Sequence, residues 1–217
     1  MTGLDPLTGA WLADRPQKLE VGFRLAGAIP QTFVTTPRNA IIDLYDERGD
    51  PVWLEHPRYR ESVDVVAIAI DPSQGVDGFA HDLSAPSPGL LVGVGRPVHI
   101  VGFPFGLTTE HNMAVWTTGF IASEPDSDYG GLPRFLVDAR TRPGQSGSPV
   151  IIYDAAGSIA LQLGGRSPVN EARQQLLGVY ASRIHKEADI GVVWKVSVLS
   201  EIIEGGRRPG NYAALED

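Results

Sequence analysis

Residues Arg142 to Val150 read Arg-Pro-Gly-Gln-Ser-Gly-Ser-Pro-Val, and no other stretch of the chain is so well suited to chemistry. Gly144 stands two places before Ser146, and Gly-Ser-Pro with an apolar β-branched run (Val150, Ile151, Ile152) follows. The pattern describes a serine on a tight turn that feeds directly into a strand. Gly144 tolerates backbone angles that a side chain forbids and lets another backbone approach closely. The N–H groups of Gly144 and Ser146 can then aim at one spot beside the hydroxyl, which is how an oxyanion hole is assembled. A serine alone is a poor nucleophile, so this chemistry calls for a base and for a group that orients it. The plain alternative is a Gly/Ser/Pro turn of the kind many β-proteins contain.

One carboxylate has a suggestive position. Asp64 heads the apolar run Val63–Ile70 and lies 82 residues before Ser146. Its plain reading is a solvated carboxylate at a strand end. The base is harder to place among the five histidines, His56, His81, His99, His111 and His185. His56, in Trp-Leu-Glu-His-Pro-Arg-Tyr, is the only one before Asp64 and reads as a surface-turn residue.

The bulk properties narrow the function classes. The 217 residues can bury one large core or two small ones, and 42% hydrophobic with 20% charged residues is an ordinary globular mixture. Eighteen Lys/Arg against 26 Asp/Glu leave a net charge of −8 with no basic run, so no nucleic-acid partner is expected. No apolar stretch approaches the roughly eighteen residues of a membrane helix, and no signal peptide is visible. The sequence as given therefore reads as cytoplasmic, without a membrane partner. The lack of cysteine excludes disulfides, thiol catalysis and zinc–thiolate sites. Neither a cofactor nor a metal is expected, and the oligomeric state is left open.

Gly (25) and Pro (17) suit many short strands joined by turns. Alternation or β-formers mark Leu19–Leu25, Asn39–Tyr45, Val52–Leu54 and Val63–Ile70, with a hairpin turn over Asp46–Asp50. The Pro/Gly/Ser-rich stretch Asp71–Gly89 is a connector. Beyond it come His99–Phe103, Met113–Ala122, Phe135–Asp138, Pro149–Tyr153, Ile159–Leu163, Leu176–Ser182 and Gly191–Val196. Only Val198–Glu204 has helical spacing, with Ser197 or Ser200 as cap and Gly205 as stop. An antiparallel barrel or sandwich is expected, and the tail after residue 206 reads as frayed.

The α/β-hydrolase elbow needs glycine where Ser148 stands and a helix afterwards, whereas Pro149-Val-Ile-Ile-Tyr forms a strand. Gly-Gln-Ser-Gly-Ser-Pro instead resembles the nucleophile loop of trypsin-like (chymotrypsin-fold) serine peptidases, in the bacterial branch with Gly-x-Ser-Gly-Ser-Pro. Asp64 in Asp-Val-Val-Ala-Ile resembles that family's orienting aspartate. His99–Gly106 (His-Ile-Val-Gly-Phe-Pro-Phe-Gly) and Thr118–Ser123 resemble its opening second-barrel strands, and Leu177–Arg183 its pocket strand. The resemblance covers most of the chain from Val63 to Glu204.

The resemblance implies an all-β fold: a chymotrypsin-like double β-barrel, the first barrel incomplete, with a short C-terminal helix. Residues 1–88 would be the remainder of the first barrel, 89–206 the second, and 207–217 a flexible tail. Ser146 would be the nucleophile, Asp64 the orienter and Gly144 an oxyanion donor. Thr141, Tyr180, Ala181 and Ser182 would bind a polypeptide substrate. Gln145 stands where trypsin zymogens carry an aspartate, and Arg140 where trypsins carry the carboxylate that reads Arg or Lys, so neither zymogen cleavage nor basic specificity is implied.

The histidine that the family places before its aspartate has no counterpart here. Residues Met1–Gly9 (Met-Thr-Gly-Leu-Asp-Pro-Leu-Thr-Gly) resemble the loop that follows that histidine in a bacterial subgroup, so an N-terminally shortened peptidase is expected, nearly inert as written. The competing class is a non-catalytic peptidase-like module that binds extended peptides. A β-sandwich such as a capsid protein with a chance motif is the third reading.

Overall fold

A computed structural model of the chain describes residues 16–24, 37–71, 80–83, 90–109, 113–156, 159–162 and 165–210. The N-terminal loop, His111, most of the connector and the end of the tail fall outside these residues. The fold is all-β, with one closed six-stranded barrel, small two-stranded sheets and a short C-terminal helix. The chain divides into two compact units, one from Met1–Glu61, Val66–Ala80 and Ile202–Asp217, the other from Ser62–Val65 and His81–Glu201.

In the first unit β1 (Lys18–Arg24) pairs antiparallel with β2 (Pro37–Asp43), and β3 (Leu54–Glu55) with β4 (Val66–Ala67). Asp46 closes the expected turn: its carboxylate accepts the N–H groups of Arg48 and Asp50 at 2.9 and 3.0 Å. These donors hold its carboxyl below the ordinary carboxylate value. The apolar run expected as one strand over Val63–Ile70 pairs only through Val66 and Ala67. Its partner β3 runs into Pro57, which has no N–H to donate, so the ladder stops after two residues.

His56, expected on a surface turn, is instead fully buried. Its Nδ1 accepts the backbone N–H groups of Arg58 (3.2 Å) and Tyr59 (3.1 Å), so the ring caps the turn it sits on.

The second unit holds β5 (Pro97–Gly102), β6 (Val115–Ile121), β7 (Arg134–Asp138), β8 (Pro149–Asp154), β9 (Ile159–Gln162), β10 (Gly165–Pro168), β11 (Arg173–Arg183) and β12 (Ile190–Lys195). The barrel runs β11-β12-β7-β6-β5-β8 and closes through the β8–β11 pairing. Closure removes sheet edges and lets alternate residues fill the interior. Val98 and Ile100 of β5, Phe135 and Val137 of β7, and Val150 and Ile152 of β8 all point into that core. The β9–β10 hairpin stands apart from the barrel sheet, and Gly-Arg-Ser-Pro in β10 carries no alternation by which sequence reading could find it.

The helix α1 spans Val196–Gly205, longer by nearly one turn than its apolar spacing predicts. Val198 and Ile202, one turn apart, are fully buried. Ser200 bonds back to the Val196 carbonyl rather than capping the N-terminus.

Candidate active site

Ser146 lies between β7 and β8 on two turns placed end to end. In the first, Arg142-Pro143-Gly144-Gln145, the Gln145 N–H donates to the Arg142 carbonyl at 3.2 Å. In the second, Gln145-Ser146-Gly147-Ser148, the Ser148 N–H donates to the Gln145 carbonyl at 3.0 Å. Each has glycine third at positive φ, +92° at Gly144 and +86° at Gly147, which marks a type II turn. Proline second in the first turn suits the same geometry. The sequence thus dictates the local shape around the serine.

Long-range bonds hold these turns in place. Gln145 is fully buried; its Oε1 accepts the Arg142 N–H (2.8 Å) and its Nε2 donates to Thr117 Oγ1 on β6 (2.9 Å). The Gly147 N–H donates to the Tyr180 carbonyl at 2.8 Å, and the Tyr180 N–H to the Ser148 carbonyl at 2.9 Å. Phe105, at φ +55°, donates its N–H to the Pro143 carbonyl at 2.6 Å. A trans peptide points its N–H opposite to its C=O, so this bond turns the Gly144 N–H away from Phe105. A Cβ on Gly144 would run into the Phe103 carbonyl. Among the described residues, neither the Gly144 nor the Ser146 N–H has an acceptor.

Ser146 is exposed, and its Oγ donates to the Ala181 carbonyl at 2.7 Å. A backbone carbonyl can accept that hydrogen bond but cannot take the proton. The described histidines of this unit are engaged elsewhere or exposed. His99 Nδ1 pairs with Thr118 Oγ1 at 3.0 Å, and burial lowers its pKa. His185 Nδ1 accepts the Glu187 N–H at 3.2 Å, and His81 is exposed. In the other unit, His56 Nδ1 is an acceptor and so cannot donate to an orienting carboxylate. Asp64 is exposed in an irregular stretch, and among the described residues no hydrogen bond or ion pair joins it to the Ser146 loop.

Of the four residues expected to bind substrate, Thr141, Tyr180 and Ala181 are bonded to the serine loop or to one another. Thr141 is fully buried and its Oγ1 lies 2.6 Å from the Tyr180 hydroxyl, itself buried. Burial pushes the Tyr180 phenol up, partly offset by the Thr141 hydrogen bond and the Arg183 charge, so it stays protonated. Ala181 is buried and Ser182 exposed. Arg140 and Arg142 lie 3.9 and 3.6 Å from the Asp189 carboxylate, and Arg142 also donates to the Thr141 carbonyl at 2.8 Å. The structure therefore gathers Ser146, Gly144, Thr141, Tyr180 and Ala181 and leaves Asp64 without a bond to them. Sequence reasoning missed Thr117 and the Phe105 N–H; the resemblance of His99–Gly106 marked that segment only as an opening strand of the second barrel.

Among the described residues no group of three His, Asp or Glu side chains forms a metal site. No helix among them is long and apolar enough to cross a membrane.

No model of a known protein family matches the chain. It is 27% identical over 167 residues to the Arabidopsis thaliana protein named protease Do-like 13, covering 71% of this chain and 32% of that protein. The chain thus spans about a third of that relative's length. Among solved structures it is similar to Rv3671c from M. tuberculosis H37Rv, in the inactive form of a serine-to-alanine mutant, at 16% identity and TM-score 0.39 over 87% of this chain and 76% of that one. The relationship the Arabidopsis protein shows is a distant similarity, at low identity, to a protease.

Proposed function

We propose that the chain is a trypsin-like serine endopeptidase domain that hydrolyses peptide bonds through an acyl-enzyme on Ser146. The observation that carries this reading is the double turn, in which the N–H groups of Gly144 and Ser146 have no acceptor among the described residues. The distant similarity to a protease agrees with it. A double-barrel architecture, with Asp64 as orienting carboxylate, belongs to the same proposal.

Ser146 Oγ attacks the peptide carbonyl while an imidazole base, which no described residue supplies at Ser146, takes its proton. The carbonyl oxygen becomes an oxyanion held by the two N–H groups. The C–N bond then breaks, the amine leaves with the proton returned by the base, and water repeats the sequence to free the acid. No described histidine of the barrel unit is bonded to Ser146, so this chain alone is expected to be slower by about a millionfold than a complete triad.

The path for substrate lies on β11. Its pairing with β8 ends at Val179, and Tyr180 bonds back to the serine loop. Beyond that point the β8-side edge over Ala181–Arg183 is open to an added peptide strand.

The test is labelling of the 217-residue protein by a fluorophosphonate, with and without free imidazole as external base. Slow labelling that imidazole accelerates and Ser146→Ala abolishes supports a peptidase. A folded protein that stays unlabelled at every imidazole concentration overturns it. That result would favour the second reading, a non-catalytic peptide-binding module, for which the engagement of Ser146 Oγ with the Ala181 carbonyl already speaks.

A further inference from the structure

We infer that Tyr180 closes the pocket for the residue on the acyl side of the cut bond, so that the site takes small, uncharged side chains such as alanine. This inference rests on the peptidase reading and names its substrate class. A substrate carbonyl at Ser146, with its oxygen toward the Gly144 and Ser146 N–H groups, lays the preceding residue along Ala181–Arg183. The side chain of that residue is then directed between the turn 141–145 and strand 180–183, toward Tyr180 and Thr141. These two would be the floor of its pocket; their hydroxyls are 2.6 Å apart.

Three observations say that the floor is high. Tyr180 is 3% exposed and Thr141 0%, so the phenol is packed in place rather than lying over an open hole. On β12 the ring abuts Gly191, where any Cβ would collide with the ring itself. Gly191 pairs with Arg183 of β11 and Val137 of β7, so the ring fills the space that a side chain on this wall strand would take. The phenol also stays neutral, because burial raises its pKa.

Charge is not offered to a substrate here either. Arg142 is committed to the Thr141 carbonyl and to Asp189, and Arg140 pairs with the same carboxylate. An acidic side chain would have to displace Asp189. A basic one would find Asp189 already paired with both guanidinium groups, and otherwise two neutral hydroxyls. A large aromatic one would have to expel the tyrosine, which is already held by the Thr141 bond.

The experiment uses the 217-residue protein with imidazole and a series of peptidyl diphenyl phosphonates that differ only at the acyl-side residue: alanine, valine, phenylalanine, lysine and glutamate. Expected is fastest labelling of Ser146 by the alanine member, by roughly tenfold or more over phenylalanine, lysine and glutamate. Tyr180→Ala is expected to raise labelling by the phenylalanine member by a similar factor. Tyr180→Phe, which keeps the ring and loses only the Thr141 bond, is expected to keep the alanine preference. Fastest labelling of the unsubstituted protein by the phenylalanine, lysine or glutamate member overturns the pocket assignment and leaves the peptidase reading intact. No labelling by any member, alanine included, overturns both. The series on the unsubstituted protein decides the matter even if Tyr180→Ala does not fold.

Discussion

The Gln145 side-chain amide donates to Thr117 Oγ1 at 2.9 Å and so ties the residue before the serine to a barrel strand 28 positions earlier in the chain. Its other end accepts the Arg142 N–H at 2.8 Å, and the side chain is fully buried. A neutral amide thus holds this loop from both ends. Gln145→Leu strands a backbone donor and a hydroxyl, which costs about 1–3 kcal/mol. Urea denaturation checks the loss, and Gln145→Glu, which keeps the acceptor toward Arg142, is expected to lose less.

Gly144→Ala strikes the same loop through the backbone. Gly144 sits at φ +92°, and a Cβ there would collide with the Phe103 carbonyl. The strained dihedral alone costs about 1–3 kcal/mol, and relief of the collision has to turn the Pro143–Gly144 peptide. The variant should melt lower and label more slowly with fluorophosphonate, imidazole included. Unchanged labelling would show that the Gly144 N–H does not serve the reaction.

His99 gives the barrel a pH dependence. Burial holds its pKa below the ordinary 6.5, so near that value the unfolded chain binds a proton more readily than the folded one. The associated stability is present above about pH 6.5 and is lost as pH falls through the lower folded value. Thr118, Trp116 and Ile151 surround the ring and bring no compensating carboxylate. Denaturation midpoints at about pH 7.5 and about pH 5.5 should therefore differ less in His99→Gln than in the unsubstituted protein.

Arg96 and Asp154 clamp the barrel where β5 begins and β8 ends. One guanidinium nitrogen lies 2.6 and 2.7 Å from the two carboxylate oxygens, and both side chains are mostly buried. Removing one partner leaves the other charge without compensation, so Arg96→Ala is expected to cost about 3–5 kcal/mol. Arg96→Ala with Asp154→Ala should recover part of that loss in a double-mutant cycle followed by thermal melting.

Features set within a few residues were legible in the amino-acid sequence. Pro143-Gly144 and Ser146-Gly147 dictate their turns by φ alone, and the alternation in β5 and β7 dictates which side chains point inward. Helix α1 and most barrel strands likewise announce themselves through periodicity. Tertiary structure decided what each of these elements meets. Gln145 finds Thr117, Ser146 finds the Ala181 carbonyl 35 residues later, and His56, expected on the surface, is fully buried. Asp64 lies outside the strand its neighbours predicted, because a strand is as long as its partner allows and β3 offers two residues. Turn shape and periodicity are local backbone and side-chain properties; a proton acceptor, a pocket floor or a loop anchor is a relation between distant residues, and only the closed barrel sets those distances.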